Sequence, residues 1–583
     1  MLTSFKIPKS VTLPSLPQKD TVEEQAERRA ELGEVKERYL TSNINSLGLP
    51  LLKTPLPEEE HFSDLYKVMR AVATLPMIKN SAKVKPPLLE TFVHFAGLAD
   101  YKSMYIDLPL PEVTKNWLTD ESFGEQRLSG VNPGIIASVE SKQDLPNNLD
   151  LDQLTLVLDS HIDLDKLISD ERLYVVDLTT YLDGIAEGKV PTKAPLPGVA
   201  KYLPKTIGLF YWEKDGAKLK NSMGKSGRLL PLAIQVDLDD SQVKIFTPQS
   251  PDLLWTIAKI CFSIADANVH EMSTHLGRSH FAQEAFGAIT PAQLSSQHPI
   301  YLLLKPHLRF LAVNNQAGVD LLVNEGGPVD LLLAATLEGS LSISKTAAQA
   351  WSVMQTFPQS LKARRVDSKK YLPHYPYRDD GNLIWDAIAN YVDEYIKIYY
   401  LSEQDVQDDY ELQAWAATLA DTSPDGGHIK DMPTQISSTS QLAQILSVII
   451  FQNSAGHSAI NFPQYPYIGF SPNMPLAGYS NHRKFLAKEG TTPQEQHKFM
   501  MDFLPPKGLA SGQIDITNAL SAYHFDSLGD YTNEFTDPLA KHALYRFTQV
   551  LTAIEQKIEV RNRQRVVPYK YLLPSEILNS ASI

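Results

Sequence analysis

From residue 253 onward, apolar residues recur at helical spacing over long stretches that contain few glycines, a pattern that predicts long α-helices. The most apolar run, 442–451, is too short to cross a bilayer and is predicted to be a buried helix. Upstream the texture differs. Apolar or β-branched runs at 154–158, 173–176, 207–211 and 230–236, separated by Gly, Pro and Asp, predict short strands. Near the start, Thr21 followed by Glu24 makes a capping-box pattern, and the proline-free segment after it predicts a highly charged helix reaching Leu40. Its thin apolar stripe of Val22, Ala26, Ala30, Val35 and Tyr39 suits a surface helix docked along one edge. A second helical pattern covers 61–74, after which prolines within 85–88 and 108–111 impose irregular connections. The expected fold is mainly α, with a few short β-strands and a helical N-terminal extension.

Composition narrows the function. Across 583 residues, 54 Lys and Arg stand against 68 Asp and Glu, giving a formal charge of −14 with no long basic block. Nucleic acid is therefore not an expected partner. Cys261 is the only cysteine, which excludes an intrachain disulfide, a CxxC redox pair and a multi-thiolate zinc site. Residues 1–19 are broken by lysines and prolines and form no apolar signal region, so the expected location is cytoplasmic, with peripheral membrane contact left open. No fixed-period repeat and no Gly-rich phosphate loop occur, and Gly326-Gly327-Pro328 reads as a turn.

The chemistry concentrates in histidine. Of 15 histidines, five fall within 38 residues: His270, His275, His280, His298 and His307. Such clustering points to a metal. The zinc-protease motif HExxH puts two histidines on one helix face, but here the spacing is HExxxH. Five residues of α-helix rotate about 140°, so His275 and His280 can converge only where the helix widens into a π-bulge, a feature that favours functional sites. Farther on, His457 and Asn461 stand at i and i+4, on one face of a second helix.

These residues resemble those of the lipoxygenases, non-haem iron dioxygenases of fatty acids. The family pattern His-x4-His-x4-His-x17-His-x8-His is matched without a gap from His270 to His307. The segments FGEQRLSGVNP, LPLAIQV, WTIAKICFSIADANVHE and YPYRDDGNLIWDAIANYVDEYIKIYY extend the resemblance over most of the chain. It implies a large helical catalytic domain over 91–583, preceded at 1–90 by a helical extension in place of a PLAT-type β-sandwich. It also implies one iron cycling between Fe2+ and Fe3+, held by His275, His280, His457, Asn461 and the terminal carboxylate of Ile583. His270, His298 and His307 become supporting residues. Gln464 matches a residue that hydrogen-bonds the ligand asparagine and couples the substrate pocket to the metal.

The implied reaction removes hydrogen from the bis-allylic carbon of a cis,cis-1,4-pentadiene, and O2 adds to the radical on the opposite face to give a hydroperoxide. The substrate would be a polyunsaturated fatty acid, free or esterified. Matching VNNQAGVDLLV to the family's helix puts Leu321 at one of two leucines that clamp the pentadiene, and Leu520 matches the other. The same match puts Ala317 at the position that steers O2, where Ala accompanies S products, and Met474 where some plant relatives carry an arginine near the pocket. Three rival readings are a hydroperoxide isomerase or dehydratase on the same fold, a non-catalytic lipid-binding scaffold, and a zinc hydrolase, the last disfavoured by HExxxH.

Overall fold

In the computed structural model, which describes residues 13–43, 45, 47–191, 198–214, 227–522 and 525–583, the expected N-terminal helix runs as α1 (Val22–Arg38). Its capping box forms as written, with Thr21 and Glu24 satisfying each other's backbone N–H groups. Arg28 carries the helix into the body of the protein. It is 4% exposed, donates to Ser295 Oγ, and pairs with Asp20 at 2.7 Å and Glu411 at 3.3 Å. A two-stranded pairing of β1 (Thr41–Ser42) with β2 (Leu51–Leu52) follows, then α2 (Asp64–Val84), longer than its sequence pattern predicts. Of the 1–90 extension, residues 1–12 lie outside the described residues.

A five-stranded antiparallel meander comes next, in the order β3 (Ala137–Val139), β4 (Leu173–Asp177), β5 (Thr206–Glu213), β6 (Arg228–Asp237) and β7 (Val243–Phe246). Three of the four predicted strands are here. The run 154–158 is instead covered by the helix Leu151–Val157, because the Asp150 side chain caps it by accepting from Gln153 N, while Gln235 on β6 accepts from Asp150 N. The preceding helix α3 (Asp120–Ser129) lies so close to β6 that a Cβ on Gly124 would sit 2.0 Å from Leu229 O.

The remainder is helical. The helix Asp252–Val269 is buried along nearly all of its length, and it continues without a break into the histidine segment. Helix Pro376–Tyr399 packs between Thr439–Phe451, the predicted buried helix, and Pro538–Asn562. No helix among the described residues is long and apolar enough to cross a membrane.

Candidate metal centre

His270–Phe281 is a twelve-residue π-helix. With i→i+5 bonding, residues five apart return to one face, and this is how HExxxH brings its imidazoles together. The rings of His270 and His275 stack 5.7 Å apart at 10°. The widened segment is braced by the helix Leu337–Ala350, whose Ser344 Oγ donates to Met272 O at 2.6 Å. Glycine is required at the crossing, since a Cβ on Gly277 would lie 2.7 Å from Ala347 Cβ and 2.8 Å from Ser344 O.

The second helix repeats the device. α-Helical His457–Asn461 is flanked by π-helical Gln452–Gly456 and Gln464–Ile468, and it places His457 opposite the first pair. His280 Nε2 stands 3.2 Å from both His275 Nε2 and His457 Nε2, and all three side chains are at most 3% exposed. The His280 ring is nearly perpendicular to the other two, at 79° and 88°. Burial and the neighbouring imidazoles push His280 down to about 3 and His457 well below the ordinary histidine range, so both rings are neutral.

The tautomer of His280 follows from its partner. Asn315 Nδ2 donates to Glu284 Oε2 at 2.9 Å and to His280 O at 3.2 Å, so the Asn315 Oδ1 atom must accept from His280 Nδ1 at 3.0 Å. That leaves the His280 Nε2 lone pair facing two other ring nitrogens in the buried interior. A shared cation with bonds of about 2 Å to nitrogen accounts for this convergence, which hydrogen bonding does not. The three histidines fit a metal ion.

Around them, the other predicted residues take distinct places. Gln464 Nε2 donates to Asn461 Oδ1 at 2.8 Å, and Asn461 Nδ2 donates to Leu520 O at 2.7 Å, linking the helix His457–Asn461 to the helix Lys507–Ser521. Ile583 is 2% exposed and packs with Tyr66, Phe310, Phe462 and Leu578. The tail leading to it is held by Tyr66, whose OH donates to Ser582 O, and by His307 Nδ1, which donates to Asn579 O at 2.9 Å. His270 Nε2 donates to Ile460 O at 3.2 Å, within the His457 helix. His298 Nδ1 accepts from Ile300 N, which caps a helix, while its Nε2 donates to Asp409 at 3.0 Å. Glu271 contacts His270 Nδ1 at 3.2 Å and His275 Nδ1 at 3.6 Å. Burial alone would raise the Glu271 carboxyl, but these contacts hold it below the ordinary glutamate range.

An apolar cavity reaches the two π-helical segments His270–Phe281 and Gln464–Ile468, walled by Leu276, Leu322, Leu332, Gln464, Ile468 and Leu520. Leu321 does not line it. This expectation is corrected: Leu321 is 66% exposed, and Leu322 takes its place. The reason is helical phase. Asn315 points inward to His280; Leu322, seven residues on, lies within about 20° of it around the helix, whereas Leu321 is turned away by about 120°. Ala317 and Gly318 are both half-buried, and neither lines the cavity. A Cβ on Gly318 would meet nothing within 4 Å. Met474 is buried at 1%, its carbonyl accepting from Gln513. Tyr523 and His524, next to Leu520 in the matched segment, lie outside the described residues.

Residues that spacing alone did not single out complete the support. Besides Asn315, Glu284 Oε1 accepts from Leu52 N at 2.8 Å, which ties the N-terminal strand pair to His280 through two side chains. Asp266 pairs with Arg127 and accepts from Asn132, and Asn132 accepts from Thr274, the neighbour of His275. This network explains why FGEQRLSGVNP accompanies the histidines. The lipoxygenase family profile matches residues 16–571.

The chain belongs to the lipoxygenase family of dioxygenases. A linoleate 9/13-lipoxygenase of Pseudomonas aeruginosa is 32% identical over 505 residues, covering 84% of this chain and 70% of that protein. The human hydroperoxide isomerase ALOXE3 is 31% identical over 478 residues, covering 81% of this chain and 63% of that protein. Among solved structures, an internally deleted LOX in complex with arachidonate aligns with a TM-score of 0.83 at 28% identity, over 98% of this chain and 84% of that one. As a lipoxygenase, the chain has the helical catalytic fold expected from its sequence.

Proposed function

We propose that this lipoxygenase holds one non-haem iron and inserts O2 into polyunsaturated fatty acids bearing a cis,cis-1,4-pentadiene, releasing hydroperoxides. The observation that carries the reading is the meeting of three buried imidazoles, with His280 Nε2 3.2 Å from each of the other two Nε2 atoms, beside an apolar cavity. The ligands are His275, His280, His457, Asn461 and the main-chain carboxylate of Ile583. Neutral imidazoles, an amide oxygen and a single carboxylate would suit an iron that supplies one-electron Fe2+/Fe3+ chemistry. The protein's own part is positional. Leu322 and Leu520 bracket the pentadiene, Gln464 fixes the Asn461 amide, and the apolar walls exclude water from the radical. O2 is the co-substrate, and the lipid is met at a membrane surface.

Ala317 is the position that the resemblance gives for steering O2, and Ala there favours S products.

Oxygen uptake with linoleate or arachidonate tests the reading, alongside metal analysis of the purified protein. Stoichiometric iron and rapid uptake are expected. Consumption of added hydroperoxide with little O2 would establish the isomerase reading instead, which the ALOXE3 relative makes worth measuring, and absence of a redox metal would end both.

A further inference from the structure

We propose that a second pocket, separate from the apolar cavity, binds a small organic anion through Arg278 and Arg364. The pocket has a volume of about 300 Å³ and shares no lining residue with the cavity beside Gln464. Concave sites of about this size and larger are the ones that hold small molecules. Part of its lining belongs to the histidine segment. Thr274 and Arg278 contribute to it, and so does Gln452, whose Nε2 donates to Ser279 Oγ at 3.0 Å.

Charge gives the sign of the ligand. The chain as a whole carries −14, yet among the described residues this pocket is lined by two guanidiniums and by no carboxylate. Arg278 is half-buried and, among the described residues, ion-pairs with no carboxylate and donates to no protein acceptor. Arg364 is held in place: its Nη1 donates to Ile136 O at 2.9 Å and to Tyr375 Oη at 3.3 Å, which leaves Nη2 and Nε for a ligand. Both guanidiniums are near enough to the Tyr377 hydroxyl, also in the lining, to offset part of the upward push that burial gives it, so they serve one space. Two acids hydrogen-bond to lining residues, and neither pairs with these arginines. Asp266, which accepts from Asn132, is neutralised by Arg127, and Asp431 accepts from Ser352 Oγ at 2.6 Å. Two like charges half removed from water repel each other, and an anion between them relieves the repulsion. The planar guanidinium fork matches a carboxylate two bonds at a time.

The wall describes the rest of the molecule. Phe357 meets Tyr377 edge-on at 5.2 Å and Phe451 at 4.8 Å, and Phe451 meets Trp385 at 5.5 Å, so four rings make one aromatic surface beside the two cations. A bare inorganic anion gains nothing from such a wall. A carboxylate carried on an aromatic or short apolar body uses both halves of the pocket.

The test is isothermal titration calorimetry of the full-length protein as purified, with benzoate, benzyl alcohol and inorganic phosphate as probes. Benzoate should bind with a Kd of about 1 mM or tighter, ordinary for a molecule of about nine non-hydrogen atoms. Benzyl alcohol has the same ring without the charge and should bind at least about tenfold more weakly, the worth of one charge-assisted hydrogen bond. Arg278→Gln, which breaks no hydrogen bond within the described protein, should weaken benzoate by at least the same factor. Arg364→Gln should do so too, and Arg278→Gln carries the test should loss of the Ile136 contact unfold that variant. Ala363→Trp, at an exposed position in the lining, should exclude benzoate by filling the pocket. Wild type that fails to bind benzoate overturns the proposal. So does benzoate binding undiminished in Arg278→Gln or in Ala363→Trp, since the carboxylate would then lie elsewhere. Benzyl alcohol binding as tightly as benzoate removes the role of charge, and phosphate binding as tightly removes the role of the aromatic wall; either overturns the assignment.

Discussion

Replacing Asn315 by alanine removes one amide that serves three buried groups at once. His280 Nδ1–H loses its acceptor at 3.0 Å, His280 O loses a donor at 3.2 Å, and Glu284 Oε2 loses a donor at 2.9 Å. All lie in an interior where Asn315 itself is 3% exposed. Each stranded group costs about 1–3 kcal/mol, and because the three are coupled the sum falls short of additive, so a loss of about 2–4 kcal/mol of stability is expected. The His280 ring also becomes free to turn, and for the metal site proposed here a loss of about 10- to 100-fold in metal affinity is expected. Asn315→Asp provides the control. It keeps an acceptor for His280 but sets a second carboxylate against Glu284, which burial has already pushed up to about 7. That variant should hold metal nearly as well as wild type at pH 6 and lose stability as pH rises above 7. The assays are denaturant melts with and without chelator at pH 6 and pH 8, and iron content with its chelator release rate. Asn315→Ala that retains iron at the wild-type rate, or two variants that behave alike, would refute the orienting role assigned to Asn315.

Three further outcomes are expected. Asp266→Ala strands the buried Arg127 guanidinium, 3% exposed, and should cost about 3–5 kcal/mol in a urea melt, with Asp266→Asn losing less. His307 is held down to about 4 by burial, against an unperturbed 6.5, so the unfolded chain binds its proton before the folded one does. Its contribution is complete above pH 6.5 and falls away between pH 6.5 and 4, by about 3 kcal/mol, a slope that His307→Gln should flatten in melts across that window. Ala317→Gly should shift oxygenation along the pentadiene on chiral chromatography, and an R hydroperoxide from wild type would show that Ala317 does not steer oxygen as the resemblance implies.

What could be read from the chain without its structure divides by physical cause. HExxxH was informative because the spacing is incompatible with an α-helix, so convergence of His275 and His280 demanded the widened segment that the structure contains from His270 to Phe281. His457 and Asn461 needed only the i, i+4 rule, and the strands at 173–176, 207–211 and 230–236 needed only their β-branched runs between turn residues. Asn315 and Glu284 were silent. Their role depends on contacts 35 and 31 residues apart that obey no local period. The run 154–158 misled because its apolar residues suit either period, and the Asp150 cap decided for helix.

The slip at Leu321 has a sharper lesson. Periodicity specifies that every third or fourth residue of 311–321 faces inward, but it does not set the phase where adjacent residues are chemically alike, and here the alternatives are Leu321 or Leu322. A polar residue bonded across the core breaks the tie, because Asn315 is 3% exposed only by facing His280. Once that one contact fixes the rotation, Leu322 turns to the cavity and Leu321 to solvent, so which of two adjacent leucines meets the apolar wall is set by a hydrogen bond to His280 rather than by the apolar pattern of the helix that carries it.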